Sequence, residues 1–287
     1  MKRALRVTTL VGAVLIAAAL IVSCGQSGSK TGTTASSQPA ADKLLDGTYM
    51  ATYSHTDSHS WQEFLQVKVQ GNKITAAKFD AINAKGELKT NDANYNATMK
   101  KVSGSNPDEY TKALSQALLT GQAAPVDGVT GATESSKDFN DFAARIIAAA
   151  KKGDSAPIIL PQDGTYTAKG KASQYGWIPY LEITFANDQM TKVAVDQVKM
   201  DNNKITARQS EDTAFQAQYK KTTGKDITEA FNTLDSELLK TGDPSKVDVV
   251  SSATEISNQF KDLAKQILDS RVSVSPDTIA QKISSNS

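Results

Sequence analysis

At 287 residues the chain has room for two modest domains, and 39% hydrophobic with 22% charged residues is ordinary globular composition. Its formal charge is +1, and setting aside Lys2, Arg3 and Arg6, which belong to a removable N-terminal segment, leaves a slight acidic excess. No polybasic footprint remains, so no nucleic acid partner is expected. A single cysteine excludes an intramolecular disulfide, a cysteine-ligated metal cluster and a cysteine-attached haem.

Residues 1–23 read as an export signal, with a basic start, an apolar run from Leu10 to Val22, and then Ser23-Cys24. The run is short for a bilayer span, which needs roughly 20 apolar residues. Ile21-Val22-Ser23-Cys24 resembles the lipobox of bacterial lipoproteins, in which the cysteine is lipidated and becomes the mature N-terminus. Residues 24–42 then form a lipidated start and a tether almost without large apolar side chains. As a random coil the tether would reach roughly 20–25 Å, holding the folded part off the outer face of the cytoplasmic membrane.

Behind the tether the sequence repeats itself. Asp46-Gly47-Thr48-Tyr49 returns as Asp163-Gly164-Thr165-Tyr166, Trp61 as Trp177, Lys100-Lys101 as Lys220-Lys221, and Thr133 as Thr254. The order is kept and the offset drifts by only a few residues, a duplicated unit far longer than a solenoid repeat. Two domains are expected, residues 43–152 and 160–270, joined around Lys151–Ile158 and followed by a tail at 271–287.

Within each unit strands come first. Leu65, Val67 and Val69 alternate, as do Leu181, Ile183 and Phe185, and Gly71-Asn72 and Asn187-Asp188 mark turns into third strands at Ile74–Phe79 and Met190–Val195. Helical spacing follows. Tyr110, Leu114, Ala117 and Leu118 make one stripe and Ile227, Phe231, Leu234 and Leu238 its counterpart. A last helix in each unit carries Phe139, Phe142, Ile146, Ile147 and Ala150, or Phe260, Leu263, Ala264, Ile267 and Leu268. The class is α+β, each unit an antiparallel sheet with packed helices. After Arg271 the periodicity is lost, and the tail is expected to be loose or only partly helical.

The last helix of each unit is preceded by a small-residue turn, Asp127-Gly128-Val129-Thr130-Gly131-Ala132-Thr133 and Asp248-Val249-Val250-Ser251-Ser252-Ala253-Thr254. Such a turn leaves backbone N–H groups free at the positive end of a helix dipole, a place suited to a phosphate. Helix capping alone explains a hydroxyl at that place. Capping does not explain why the whole pattern is kept twice, where serine or aspartate would cap equally well.

Other chemistry finds little support. His55 and His59 stand four apart in a polar loop without a completing ligand set, which reads as a solvated loop rather than a metal pair. With no other histidine and no nucleophile elbow, Ser-His-Asp hydrolysis is not expected. Trp61 and Trp177 could cover a planar ring, although packing is the commoner role of an aromatic at a strand start.

On these residues both halves resemble the FMN-binding domain family, which includes subunits of sodium-pumping quinone reductases and flavinylated lipoproteins used by Gram-positive bacteria in extracellular electron transfer. There a flavin transferase moves the FMN part of FAD onto the last threonine of Asp-x-x-Ser/Thr-Gly-Ala-Thr as a phosphoester. The resemblance implies Thr133 as acceptor, with Asp127, Thr130, Gly131 and Ala132 completing its motif. It implies Thr254 as a second acceptor, with Asp248, Ser251, Ser252 and Ala253. The second copy departs at Ser252, where glycine is expected. If that position takes a positive φ, serine there carries a steric cost; if it need only be small, serine is tolerated. The function implied is a lipid-anchored electron carrier, not itself an enzyme, passing electrons from a membrane quinol or NADH dehydrogenase system to external acceptors. Two alternatives stay open: a lipoprotein module binding a solute or cell-wall component without flavin, and a flavoenzyme reducing small organic acids.

Overall fold

The computed structural model describes residues 43–286; the export signal at 1–23, Cys24 and the tether at 24–42 lie outside the described residues. The first half runs β1 (Gly47–Tyr53), β2 (Gln62–Gln70), β3 (Lys73–Ile82), α1 (Ala93–Ser103), α2 (Pro107–Gly121) and α3 (Thr133–Lys152). After a short β4 (Ile158–Leu160) the second half repeats the plan with β5 (Gly164–Lys169), β6 (Ile178–Ala186), β7 (Gln189–Asp201), β8 (Lys204–Arg208), α4 (Thr213–Thr223), α5 (Ile227–Thr241) and α6 (Thr254–Ser270). A final helix, α7, spans Pro276–Ser285. The class is α+β, with helices packed on largely antiparallel sheets.

The hairpins are set by their turn residues. Gly71-Asn72, Asn187-Asp188 and Asn202-Asn203 each put two successive residues at positive φ. That is the two-residue turn whose twist matches paired strands, and Gly, Asn and Asp are the residues that tolerate it. Alternation then divides the faces of β1 and β2. Tyr49, Ala51, Leu65 and Val67 meet Leu114, Leu118, Phe139, Phe142 and Ile146 of α2 and α3 in one core. Tyr166, Leu181 and Ile183 meet Phe231, Leu234, Phe260 and Ile267 in the other. Each fully buried side chain of this size contributes roughly 1.5–3 kcal/mol.

Three features depart from the sequence expectation. First, Ile158–Leu160 is a strand as well as a connector: β4 pairs in parallel with β1, so the first sheet, in the order β3-β2-β1-β4, is not wholly antiparallel. Second, β7 continues past Val195 and folds back as β8, where the first half has a short loop closed by an Ile82–Leu88 bridge. Third, the tail is ordered. Val274, Ile279 and Ile283 cover Met50, Phe64, Ile82 and Leu88 on the sheet face opposite α2 and α3. Ser275 caps α7 by accepting from the Thr278 amide, with Pro276 in the first turn. Two isoleucines in ten residues make too short a stripe to read as a helix without the apolar face that receives them.

The halves also interlock. The strap before α7 is hydrogen-bonded into the first half by Gln62, which donates to the Val274 carbonyl at 3.0 Å and accepts its amide at 2.8 Å. Thr56 donates to the Ser270 carbonyl, and the Tyr166 hydroxyl donates to the Thr56 carbonyl at 2.6 Å. Arg271, almost fully buried, reaches Asp188 at 3.0 Å and the Gln162 carbonyl at 3.1 Å while lying over the Phe185 ring. His55 belongs to this junction: its Nδ1 is 2.9 Å from the Ser54 hydroxyl and 3.4 Å from Asp188. The solvated-loop reading holds for exposed His59 alone.

Candidate functional site

Helix α3 begins at Thr133 and α6 at Thr254, but the cap position belongs to Ala132 and Ala253, and neither cap makes a side-chain hydrogen bond. Capping therefore does not account for the threonine hydroxyls, which sit exposed at the first helical position. The turn is shaped from within the helix instead. Ser136 Oγ donates to the Ala132 carbonyl at 2.7 Å and accepts from the Val129 amide at 3.0 Å. Ser257 repeats this with Ala253 at 2.9 Å and Val250 at 3.0 Å. Among the described residues no acceptor meets the amides of Thr133, Glu134 and Ser135, so the start of α3 presents bare N–H groups.

Gly131 has φ +81°, and a Cβ there would lie 2.2 Å from the Ser103 carbonyl oxygen. The equivalent Ser252 has φ +71° and is exposed, with its carbonyl accepting from the Tyr219 hydroxyl at 2.6 Å. The position does take a positive φ, and the second loop accommodates a side chain in that strained region at a cost of about 1 kcal/mol.

Beside Thr133 lies a cavity of about 430 Å³, lined by Gly131, Ala132, Thr133, Trp61, Tyr95, Met99 and Tyr110 among others. Trp61 and Tyr95 meet edge to face with centroids 6.2 Å apart, so Trp61 both packs and faces the cavity. The floor is ionisable. Glu63 on β2 accepts from the Ser135 hydroxyl at 2.9 Å, and its carboxyl faces that of Asp138, to which its protonated form donates. Burial pushes the Glu63 carboxyl up to about 8, against the pull of Lys89. Burial likewise raises Asp138, against the hydrogen bond donated by the Tyr53 hydroxyl at 2.6 Å. Lys89 lies over the Tyr95 ring at 4.9 Å. It is set there by a 3₁₀ turn at Lys89–Asn91, which buried Asp80 anchors by accepting the Thr90 amide and hydroxyl.

A second, wider cavity of about 800 Å³ adjoins the start of α6, lined by Trp177, Phe215, Gln197, Gln209, Gln259 and the two residues after Thr254, Glu255 and Ile256. Asp196 anchors the matching turn through Ser210. Thr254 itself stands at the edge of this cavity rather than in its lining, and Ser251 faces a separate small pocket with Tyr219 and Lys225. Asp127, Thr130 and Asp248 are exposed and away from both cavity walls; the Asp248 amide donates to Glu237 at 2.8 Å. Sequence reasoning missed Ser136 and Ser257, although both stand three residues after the motif threonine. It missed Glu63, Lys89 and Asp138 because none of them recurs in the second copy.

The residues at the first site fit an FMN phosphoester. The threonine oxygen is free to be esterified, the bare amides suit a phosphate, and an aromatic wall beside a carboxyl pair suits a flat heterocycle with hydrogen-bonding edges. The second site offers the same turn and a tryptophan, with amide side chains in place of ionisable ones.

Fold and site together define a duplicated α+β protein with two threonine-first helices, each beside an aromatic cavity. No protein-family model matches the chain. The 15 kDa lipoprotein of Treponema pallidum (strain Nichols) is 36% identical over 117 residues, covering 40% of this chain and 83% of that protein. The chain belongs to the family of that lipoprotein. It is also similar to the solved CPE2226 protein of Clostridium perfringens, at 34% identity and a TM-score of 0.40, covering 41% of this chain and 98% of the other.

Proposed function

We propose that the chain is a lipid-anchored extracellular electron carrier, with FMN held as a phosphoester on Thr133 and on Thr254. One observation carries this reading: twice, a threonine opens a helix with its hydroxyl unused for capping, beside an aromatic-walled cavity. The lipobox ending at Cys24 and the relationship to a named lipoprotein support an anchor on the outer face of the cytoplasmic membrane. A covalent bond keeps a cofactor that would otherwise diffuse away outside the cell.

The exposed turn gives a flavin transferase, drawing on FAD, access to the acceptor oxygen. The Thr133, Glu134 and Ser135 amides would steady the remaining phosphate charge, while Trp61, Tyr95 and Tyr110 confine the ring and exclude water from one side. When bound, the isoalloxazine supplies reversible one- and two-electron chemistry, and the protein supplies position and electrostatics. Electrons would arrive from a quinol-linked or NADH dehydrogenase system in the membrane and leave to external acceptors.

Production alongside a flavin transferase tests this. Flavin fluorescence should stay with the denatured polypeptide and disappear in the Thr133→Ala/Thr254→Ala double variant. Flavin that separates on denaturation, or persists in the double variant, refutes it.

A further inference from the structure

The duplication makes the two cavities comparable position by position, and they differ in one consistent respect. The sheet registers and helix starts align Tyr53 with Gly170, Glu63 with Pro179, Lys89 with Gln209, Tyr110 with Ala230, and Asp138 with Gln259. Each of these ionisable groups at the first site has a non-ionisable counterpart at the second. What charge the second cavity has comes from other residues. Its lining carries Lys171, Lys199 and Glu255, with Lys199 4.7 Å from the centre of the Trp177 ring. The first carries Asp57, Glu134 and Asp138 against Lys89, the Glu63 carboxyl being protonated at neutral pH. Glu134 and Glu255 are equivalent, so they do not contribute to the contrast.

A negative surrounding opposes the arrival of an electron and a positive one favours it, most strongly where the groups are withdrawn from water. Asp138 is half withdrawn in this way, whereas Lys171 and Lys199 are exposed and act through partly screened fields.

We propose that the two sites are poised unequally, the group held at Thr133 having the lower reduction potential and the group at Thr254 the higher. The inference rests on the flavin reading above. At equilibrium a half-reduced pair keeps its electrons at the second site. Transfer oxidises the first flavin and reduces the second by the same two electrons, with protons released at one ring and taken up at the other. The chain is then a polarised carrier, taking electrons at the first half and delivering them from the second.

Loading each site alone tests this, with Thr254→Ala leaving only the first and Thr133→Ala only the second. Both proteins are produced with a flavin transferase and titrated potentiometrically by visible absorbance at neutral pH. The first site should titrate at the lower potential. Asp138→Asn should raise that potential, and Lys199→Gln, at an exposed position that does not threaten the fold, should lower the potential of the second. Equal or reversed potentials, with flavin still bound to the denatured chain, overturn this inference and leave the flavin reading standing. The expected order with neither substitution moving its site overturns the electrostatic cause. A chain that never retains flavin overturns both.

Discussion

Glu63 is the residue whose environment has the most measurable consequence. Its folded pKa of about 8 lies above the unfolded value of roughly 4.3, so between these pH values the folded state holds a proton that the unfolded chain has released. Stability therefore falls as pH rises through that window and levels off above it. Glu63→Gln removes this dependence. Urea midpoints at pH 5 and pH 8 should shift in favour of the variant on going to the higher pH, by roughly 1.4 kcal/mol for each unit of pKa difference. Asp235, which burial pushes up to about 7 against the amide hydrogen bond from Val195, gives a slope of the same sign but is present in both proteins and cancels. An unchanged difference between the two pH values would place the Glu63 carboxyl in water. None of this was legible in the sequence. A carboxylate in an alternating strand reads as solvent-facing, and only the packing of α3 over the end of β2 buries it. Thr133 and Thr254 were legible because duplication marked them.

Among the elements, the two motif turns form a natural experiment on one backbone conformation. Gly131 and Ser252 share a positive φ, yet only Gly131 is crowded by the Ser103 carbonyl. Gly131→Ala should lose more than about 1 kcal/mol, since it adds a clash to left-handed strain. Ser252→Gly should remain within about 1 kcal/mol of the parent. Thermal melts of both variants check this, and equal losses would contradict it. The sequence raised the choice at Ser252 without deciding it, because a positive φ is a property of the turn. Strand pairs and amphipathic helices followed their periodicity, from Leu65 and Val67 to Phe139 and Phe142. Helices α1 and α4 did not, because they bury no side chain and carry no apolar stripe. Their starts are fixed by Asp92 and Asp212, which accept the amides of Tyr95 and Phe215.

At the scale of the molecule, the tail and Arg271 bind the halves into one unit. Removing 276–286 should expose Phe64, Ile82 and Leu88 and cost roughly 3 kcal/mol or more, given two buried isoleucines. Arg271→Ala should cost about 2 kcal/mol or more by leaving the Gln162 carbonyl and Asp188 without their guanidinium partner. Calorimetry should then show the single transition of the parent lowered or split in two, and an unshifted single transition would contradict the interlock. The internal repeat suggests independent domains; each of the contacts that join them uses a residue that does not repeat, Thr56, Gln62, Gln162 or Arg271, with Tyr166 and Asp188 of the repeated positions as partners. The covalent flavin proposed on two threonines is what sets this molecule apart from a plain lipoprotein. Intact-mass measurement of the mature protein made beside a flavin transferase tests it most directly. The expected mass is that of a lipidated chain carrying two FMN phosphoesters, one lost with Thr133→Ala and the other with Thr254→Ala. A mass showing lipid and unmodified polypeptide would contradict it.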